Sequence, residues 1–158
     1  MQDQLIDLNT LAYLARRGVA SQWRVFLRAT METLEGQLDH DAREGLLRMV
    51  GARMAALMPI PACDSLSELE ARINETLAIA EWGYVQLSLD VNNRTVLLRH
   101  VAAPMIGTHA DLTGGWVGSV LEGLYGSWLS HQPGAEPGIP VRRLGPDGGA
   151  IMLRYARD

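Results

Sequence analysis

The spacing of apolar side chains changes once along this chain, and that change does most to limit the fold. From Trp23 to Ala80, apolar residues recur every three or four positions, the period of helices with one buried face. After Gly83, Val85, Leu87, Leu89 and Val91 alternate with Gln86, Ser88 and Asp90, the period of a strand with one buried face. Helices followed by strands imply an α+β fold, in which helices pack on an antiparallel sheet.

Local signals divide the helical stretch. Ser21 is the expected cap of a first main helix, with Trp23, Phe26, Leu27, Thr30, Met31, Leu34 and Leu38 on its apolar side and Arg24, Arg28, Glu32 and Glu35 facing away. Asp41, three residues before Glu44, opens a second helix whose stripe is Leu46, Leu47, Val50, Met54, Leu57 and Met58, and Pro59 and Pro61 end it. Ser65-Leu66-Ser67-Glu68 is a capping box, and the third helix buries Leu66, Leu69, Ile73, Leu77 and Ala80 before Gly83 closes it.

Asn92-Asn93 is the expected turn of a hairpin that returns over Thr95 to Val101. A loop from Ala102 to Gly115 leads to a fourth helix with Trp116, Val117, Val120, Leu121, Leu124 and Trp128 on one side, ending before Pro133-Gly134. Val141 to Leu144 and Ala150 to Ala156, flanking Gly145-Pro146-Asp147-Gly148-Gly149, form a second hairpin. A short amino-terminal helix is expected over Leu5 to Ala15, stopped by Gly18. The expected organisation is therefore an extension over 1–20 and one domain over 21–158, with about four main helices and an antiparallel sheet of two hairpins.

Composition narrows function by exclusion. With 47% hydrophobic and 20% charged residues the chain is globular, and a net charge of −4 with interleaved signs offers no field for nucleic acid. Cys63 is the only cysteine, which rules out an internal disulfide and suits a reducing compartment. The amino terminus shows no secretory pattern, and apolar runs fall far short of the roughly 20 residues that span a bilayer, so a cytoplasmic protein without membrane insertion is expected, the periplasm being the alternative.

No phosphate-binding loop, dinucleotide fingerprint, HExxH or GxSxG motif is present, and no catalytic residue, metal or cofactor is expected. His109 and Asp111 share a loop without further ligands, and His40, His100 and His131 are scattered. Cys63, just before a helix start, is either a thiol activated by the helix dipole or a small buried apolar residue. Asp111 with Glu122 is the one carboxylate pair nominated for a glycoside hydrolase, the alternative from another functional class. Trp116 and Trp128 fall on an apolar helix side and are read as core or interface, together with Leu121, Leu124 and Tyr125. Trp82 and Tyr84 flank Gly83 and are read as fixing the angle of the helix-to-strand joint.

Glu81-Trp82-Gly83-Tyr84-Val85-Gln86-Leu87-Ser88-Leu89, then Gly115-Trp116-Val117 and Val120-Leu121-Glu122-Gly123-Leu124-Tyr125-Gly126-Ser127-Trp128, resemble the D subunit of bacterial cellulose synthase. Ser130-His131-Gln132-Pro133-Gly134-Ala135, Val50-Gly51-Ala52-Arg53-Met54-Ala55 and Pro61-Ala62-Cys63 extend the similarity from about Ser21 to the carboxyl terminus. The resemblance implies a non-catalytic accessory protein of the cellulose secretion machinery. It also implies an octameric ring built from dimers, with passages for nascent β-glucan to which the amino-terminal segment contributes, and association with cellulose synthase subunits and a Pro-rich partner. Gln2, Asp3, Gln4, Asp7 and Asn9 offer hydrogen bonds to sugar hydroxyls along a wet channel, a frayed terminus being the alternative. Four helices with apolar stripes further suggest a helix-mediated homodimer as the building block. A scaffold that organises synthase complexes without touching glucan is the competing non-enzymatic reading.

Overall fold

The computed structural model describes residues 18–145 and 147–157. In chain order these form helices α1 (Ser21–Gln37), α2 (His40–Leu57) and α3 (Leu66–Ala80), strands β1 (Tyr84–Asp90) and β2 (Thr95–Val101), helix α4 (Val117–Ser130), and strands β3 (Val141–Arg143) and β4 (Ile151–Tyr155). The α+β expectation holds. The helix expected over Leu5 to Ala15 lies outside the described residues.

The helix ends correct several local readings. At α3 the box is as expected: Ser65 Oγ accepts from the Glu68 amide at 3.1 Å, while the Glu68 carboxylate reaches back to the Asp64 amide at 2.8 Å. At α2 the cap is Asp39, which accepts from the Ala42 amide at 2.8 Å, and Asp41 sits inside the first turn, where the helix dipole favours an anion. At α1 the capping position is Ala20, without a side-chain cap bond, and Ser21 is already helical. Glu81, at φ 57°, ends α3, with the Trp82 amide donating to the Leu77 carbonyl at 2.9 Å. Gly83 has a different task, because a Cβ there would stand 2.1 Å from the Val101 carbonyl oxygen. In the β1–β2 loop the positive φ of 51° belongs to Arg94, and Asp90 accepts from both the amide and the side chain of Asn93.

The sheet order is β1-β2-β4-β3, antiparallel throughout. Val85, Leu98, Leu153 and Val141 point to one face, where they pack with Leu69, Ile73 and Leu77 of α3 and Leu121, Leu124 and Tyr125 of α4. The β1 edge is closed by side chains of α3. Asn74 donates to the Val85 carbonyl at 2.9 Å and accepts from its amide at 2.8 Å, and Glu70 accepts from the Leu87 amide at 2.6 Å. These bonds satisfy backbone groups that an open edge would offer to another strand.

Ten of the 14 residues of α4 are buried, so this helix is enclosed between α2 and the sheet. Its contact with α2 differs from expectation. The buried side of α2 is Leu47, Gly51 and Ala55, whereas Leu46, Val50 and Leu57 are exposed. A Cβ at Gly51 would lie 1.9 Å from the Val120 carbonyl oxygen, and one at Gly123 would lie 1.9 Å from that of Arg48. The two backbones therefore touch, and large apolar residues are displaced from the contact line.

Gly51→Ala must push the two backbones apart, an overpacking cost of about 1–3 kcal/mol or more. Gly45→Ala, in open space on the same helix, is expected to stabilise by about 0.5–1 kcal/mol. Urea unfolding of the two variants checks both signs, and equal effects would contradict the backbone contact.

Candidate functional site

The residues singled out by sequence separate into core and surface. Leu121, Leu124 and Tyr125 are fully buried, and Trp128 is nearly so, its indole N–H donating to the Met58 carbonyl at 2.9 Å. Tyr125 and Trp128 meet edge to face with centroids 5.9 Å apart. Trp82 and Trp116 are half-buried against the small cluster of Met31, Leu47 and Val120, and the Trp116 indole donates to the Ile106 carbonyl at 2.8 Å. Tyr84 is 46% exposed at the start of β1. Gln2, Asp3, Gln4, Asp7 and Asn9 lie outside the described residues.

Sequence reasoning missed a charged cluster at the junction of α2, α4 and β3. The Glu122 side chain is only 3% exposed and accepts from Arg143 Nε at 2.8 Å and Arg48 Nε at 3.3 Å. Arg143 further donates to Glu44 at 2.5 Å, to Ser119 Oγ at 3.1 Å and to the Gly115 carbonyl at 3.2 Å. Gly118 makes room for this side chain, since a Cβ there would stand 2.4 Å from Arg143 Cδ. Burial by itself would raise the pKa of Glu44, but the hydrogen bond and charge of Arg143 outweigh it and hold the carboxyl below its ordinary value. The one sequence signal was an acidic residue, Glu122, amid the apolar residues of α4.

Both carboxylates nominated for hydrolysis are engaged in structure. Asp111 accepts from the Thr113 amide at 3.0 Å, the Thr113 hydroxyl at 2.6 Å and the Gly115 amide at 2.7 Å. These bonds overcome the effect of burial and lower its pKa, which keeps it an anion closing its own loop. The Cys63 thiol is raised by burial and by Glu68, the opposite of activation by the helix dipole. Among the described residues, no group of three or more His, Cys, Asp or Glu is placed to hold a metal ion, and no helix is long and apolar enough to cross a membrane.

His100 is buried on β2, with Nδ1 2.5 Å from the Tyr125 hydroxyl and Nε2 without a hydrogen-bond partner. Burial lowers its pKa to about 4, and the Trp82 backbone opposes this without reaching hydrogen-bond geometry. The ring is neutral, and Tyr125, itself pushed up by burial, remains protonated.

The surface presents a second set of residues. Along α1 only Met31 is buried, while Trp23 and Phe26 are 52% and 58% exposed and pack edge to face on each other. Polar tethers hold α1 instead: Thr108 Oγ1 donates to Glu35 at 2.6 Å, and the His109 amide donates to Glu32 at 2.9 Å. On α2, Leu46, Val50 and Leu57 form an exposed line at intervals that keep them on one side of the helix. The sequence correctly marks these residues as apolar stripes; within one chain nothing among the described residues covers them.

The family model for the D subunit of cellulose synthase matches residues 9–156. Two chains called "Cellulose synthase operon protein D", from Komagataeibacter xylinus and Komagataeibacter sucrofermentans, are each 37% identical over 111 residues, covering 70% of this chain and 71% of theirs. A further chain of that name from Komagataeibacter xylinus is 33% identical over the same length.

Glu122→Gln leaves Arg143 and Arg48 without their shared anion; because both arginines keep about a third of their side chain in water, the expected loss is about 1–3 kcal/mol, below that of a fully buried pair. Glu75→Gln, at the exposed Arg72–Glu75 pair, is expected to leave the unfolding midpoint where it was. Chemical denaturation of both variants measures the difference. His100 carries a pH dependence of defined sign. Its folded pKa of about 4 lies below the ordinary 6.5, so the unfolded state binds the proton first and stability falls as pH drops between those values. Unfolding at pH 7 and pH 5 should differ by about 2 kcal/mol more in the wild type than in His100→Leu. Parallel pH profiles would contradict a neutral buried ring.

Proposed function

The chain belongs to the family of cellulose synthase D subunits, and from that membership we propose that it is a non-catalytic accessory subunit that forms a ring-shaped homo-oligomer and aids export and ordered crystallisation of β-1,4-glucan. The observation that supports self-assembly is the pair of apolar helix faces that no described residue covers, Trp23 and Phe26 on α1 and Val50 and Leu57 on α2. Exposed aromatic and aliphatic rows of this kind mark protein contact sites, and in a chain of this family a second copy is the simplest occupant. The building block is a helix-mediated dimer, from which the ring, an octamer in this reading, is assembled.

The engagement of Asp111 and Glu122 in structural bonds supports the non-catalytic reading over hydrolysis. Other synthase components and a Pro-rich protein are the expected partners, and nascent glucan is the cargo. Gln2, Asp3, Gln4, Asp7 and Asn9 line the passages in this reading, where weak, repeated polar contacts let a polymer move without trapping it. Loss of cellulose crystallinity on replacing all five with alanine is the expected result. The free, partly exposed Cys63 is compatible with a reducing, cytoplasmic setting.

Phe26→Asp is expected to retain its far-ultraviolet circular dichroism, because the side chain is largely exposed within one copy, yet to reduce cellulose yield and crystallinity in producing cells. Leu124→Asp places a charge in the core and is expected to unfold the chain. Normal cellulose from cells carrying the folded Phe26→Asp variant would overturn the assembly reading.

A further inference from the structure

Helix α1 carries all of its charge along one flank. Arg24, Arg28, Glu32 and Glu35 follow one another at intervals of four and three, so they form a single row. Each is engaged there: Arg24 Nε donates to the Val19 carbonyl at 2.7 Å, Arg28 Nε donates to Glu32 at 2.9 Å, and the two glutamates accept from the His109 amide and the Thr108 hydroxyl. The side opposite the buried Met31 is made of Gln22, Val25, Phe26, Ala29, Thr33 and Gly36, all exposed and none charged. Val25 is 77% exposed. The Thr33 hydroxyl donates to the Ala29 carbonyl at 2.7 Å, so covering this side leaves that donor paired.

Across a two-fold axis a residue meets its own copy, so a charge near the axis repels itself, whereas an uncharged apolar side can face its own image. The charged row adds a direction. Its basic members, Arg24 and Arg28, lie in the first half of α1 and its acidic members, Glu32 and Glu35, in the second. Antiparallel pairing about a two-fold brings the same flank of both helices together, and centred on Ala29 it sets Arg24 near Glu35 and Arg28 near Glu32 of the other copy. Parallel pairing sets the charged flank against the uncharged one and loses that match. Among the described residues both glutamates accept through Oε1, which leaves Oε2 for the second copy.

We propose that α1 docks antiparallel on α1 of a second copy, crossing at Ala29, with Val25 and Phe26 of each helix covering Thr33 of the other. The proposal rests on the reading of the chain as a self-assembling subunit and specifies the helix and the orientation that form its dimer. The small side chain of Ala29 lets the two helices approach closely at the axis.

The test uses the full chain with Cys63→Ser, which removes its only cysteine, and adds either Ala29→Cys or Gln22→Cys. In the antiparallel pair the two copies of position 22 stand about 20 Å apart, beyond the roughly 7 Å between Cα atoms that a disulfide spans. Mild oxidation is therefore expected to link Ala29→Cys into a dimer at least tenfold faster than Gln22→Cys, whereas parallel helices would link both. Ala29→Lys sets two like charges face to face and is expected to weaken self-association at least tenfold in sedimentation, with an unchanged circular dichroism spectrum because Ala29 is exposed in one copy. Equal or faster linking of Gln22→Cys, or undiminished assembly of the folded Ala29→Lys variant, overturns the proposal. If Ala29→Lys does not fold, the linking rates decide. A wild type that stays monomeric overturns the self-assembly reading together with this pairing, while a wild type that assembles as well as Ala29→Lys removes the α1 pairing alone.

Discussion

The contact between the backbones of α2 and α4 organises the molecule. It exists because Gly51 and Gly123 carry no Cβ where one would collide with a carbonyl oxygen 1.9 Å away. That approach brings Arg48 and Glu44 of α2 within reach of Glu122 on α4, and Glu122 in turn captures Arg143 of β3. One helix crossing thus reaches the sheet through a partly buried chain of alternating charge centred on Glu122. The buried carboxylate of Glu122 is tolerable because both of its oxygens accept from arginine, and removal of an arginine leaves that anion desolvated without its partner.

The same crossing determines what stays on the outside. Because α2 turns Leu47, Gly51 and Ala55 inward, with Gly51 at the point of backbone contact, Leu46, Val50 and Leu57 face away from the core. The tethers from Glu32 and Glu35 hold α1 by polar groups and so leave Trp23 and Phe26 open. Closure of the β1 edge by Asn74 and Glu70 occupies backbone groups that strand addition would use. The result is a protomer in which α1 and α2 leave Trp23, Phe26, Val50 and Leu57 exposed among the described residues.

Much of the architecture is legible from local signals. The capping box at Ser65, the change of period at Gly83 and the alternation through Leu89 locate α3 and β1 because each depends on neighbours a few residues apart. The failures have a common cause. The buried side of α2 is chosen by a backbone contact with a helix far along the chain, so Val50 scores as core by period while Gly51 holds the position. Glu44 and Arg143 are 99 positions apart, and no spacing announces their bond. Asn92 and Asn93 look like positive-φ residues, yet Asp90 binds Asn93 and shifts that conformation to Arg94. For the candidate surfaces, apolar character is visible at Trp23 and Phe26, but whether the chain itself covers them is decided only by the packing.

Sedimentation velocity of the intact chain across a wide dilution series bears most directly on the claim that the exposed helix faces serve assembly between copies. Assembly through those faces predicts a single large species, a multiple of the 17.3 kDa chain, that persists at micromolar concentration. A 17.3 kDa particle at every concentration would contradict it.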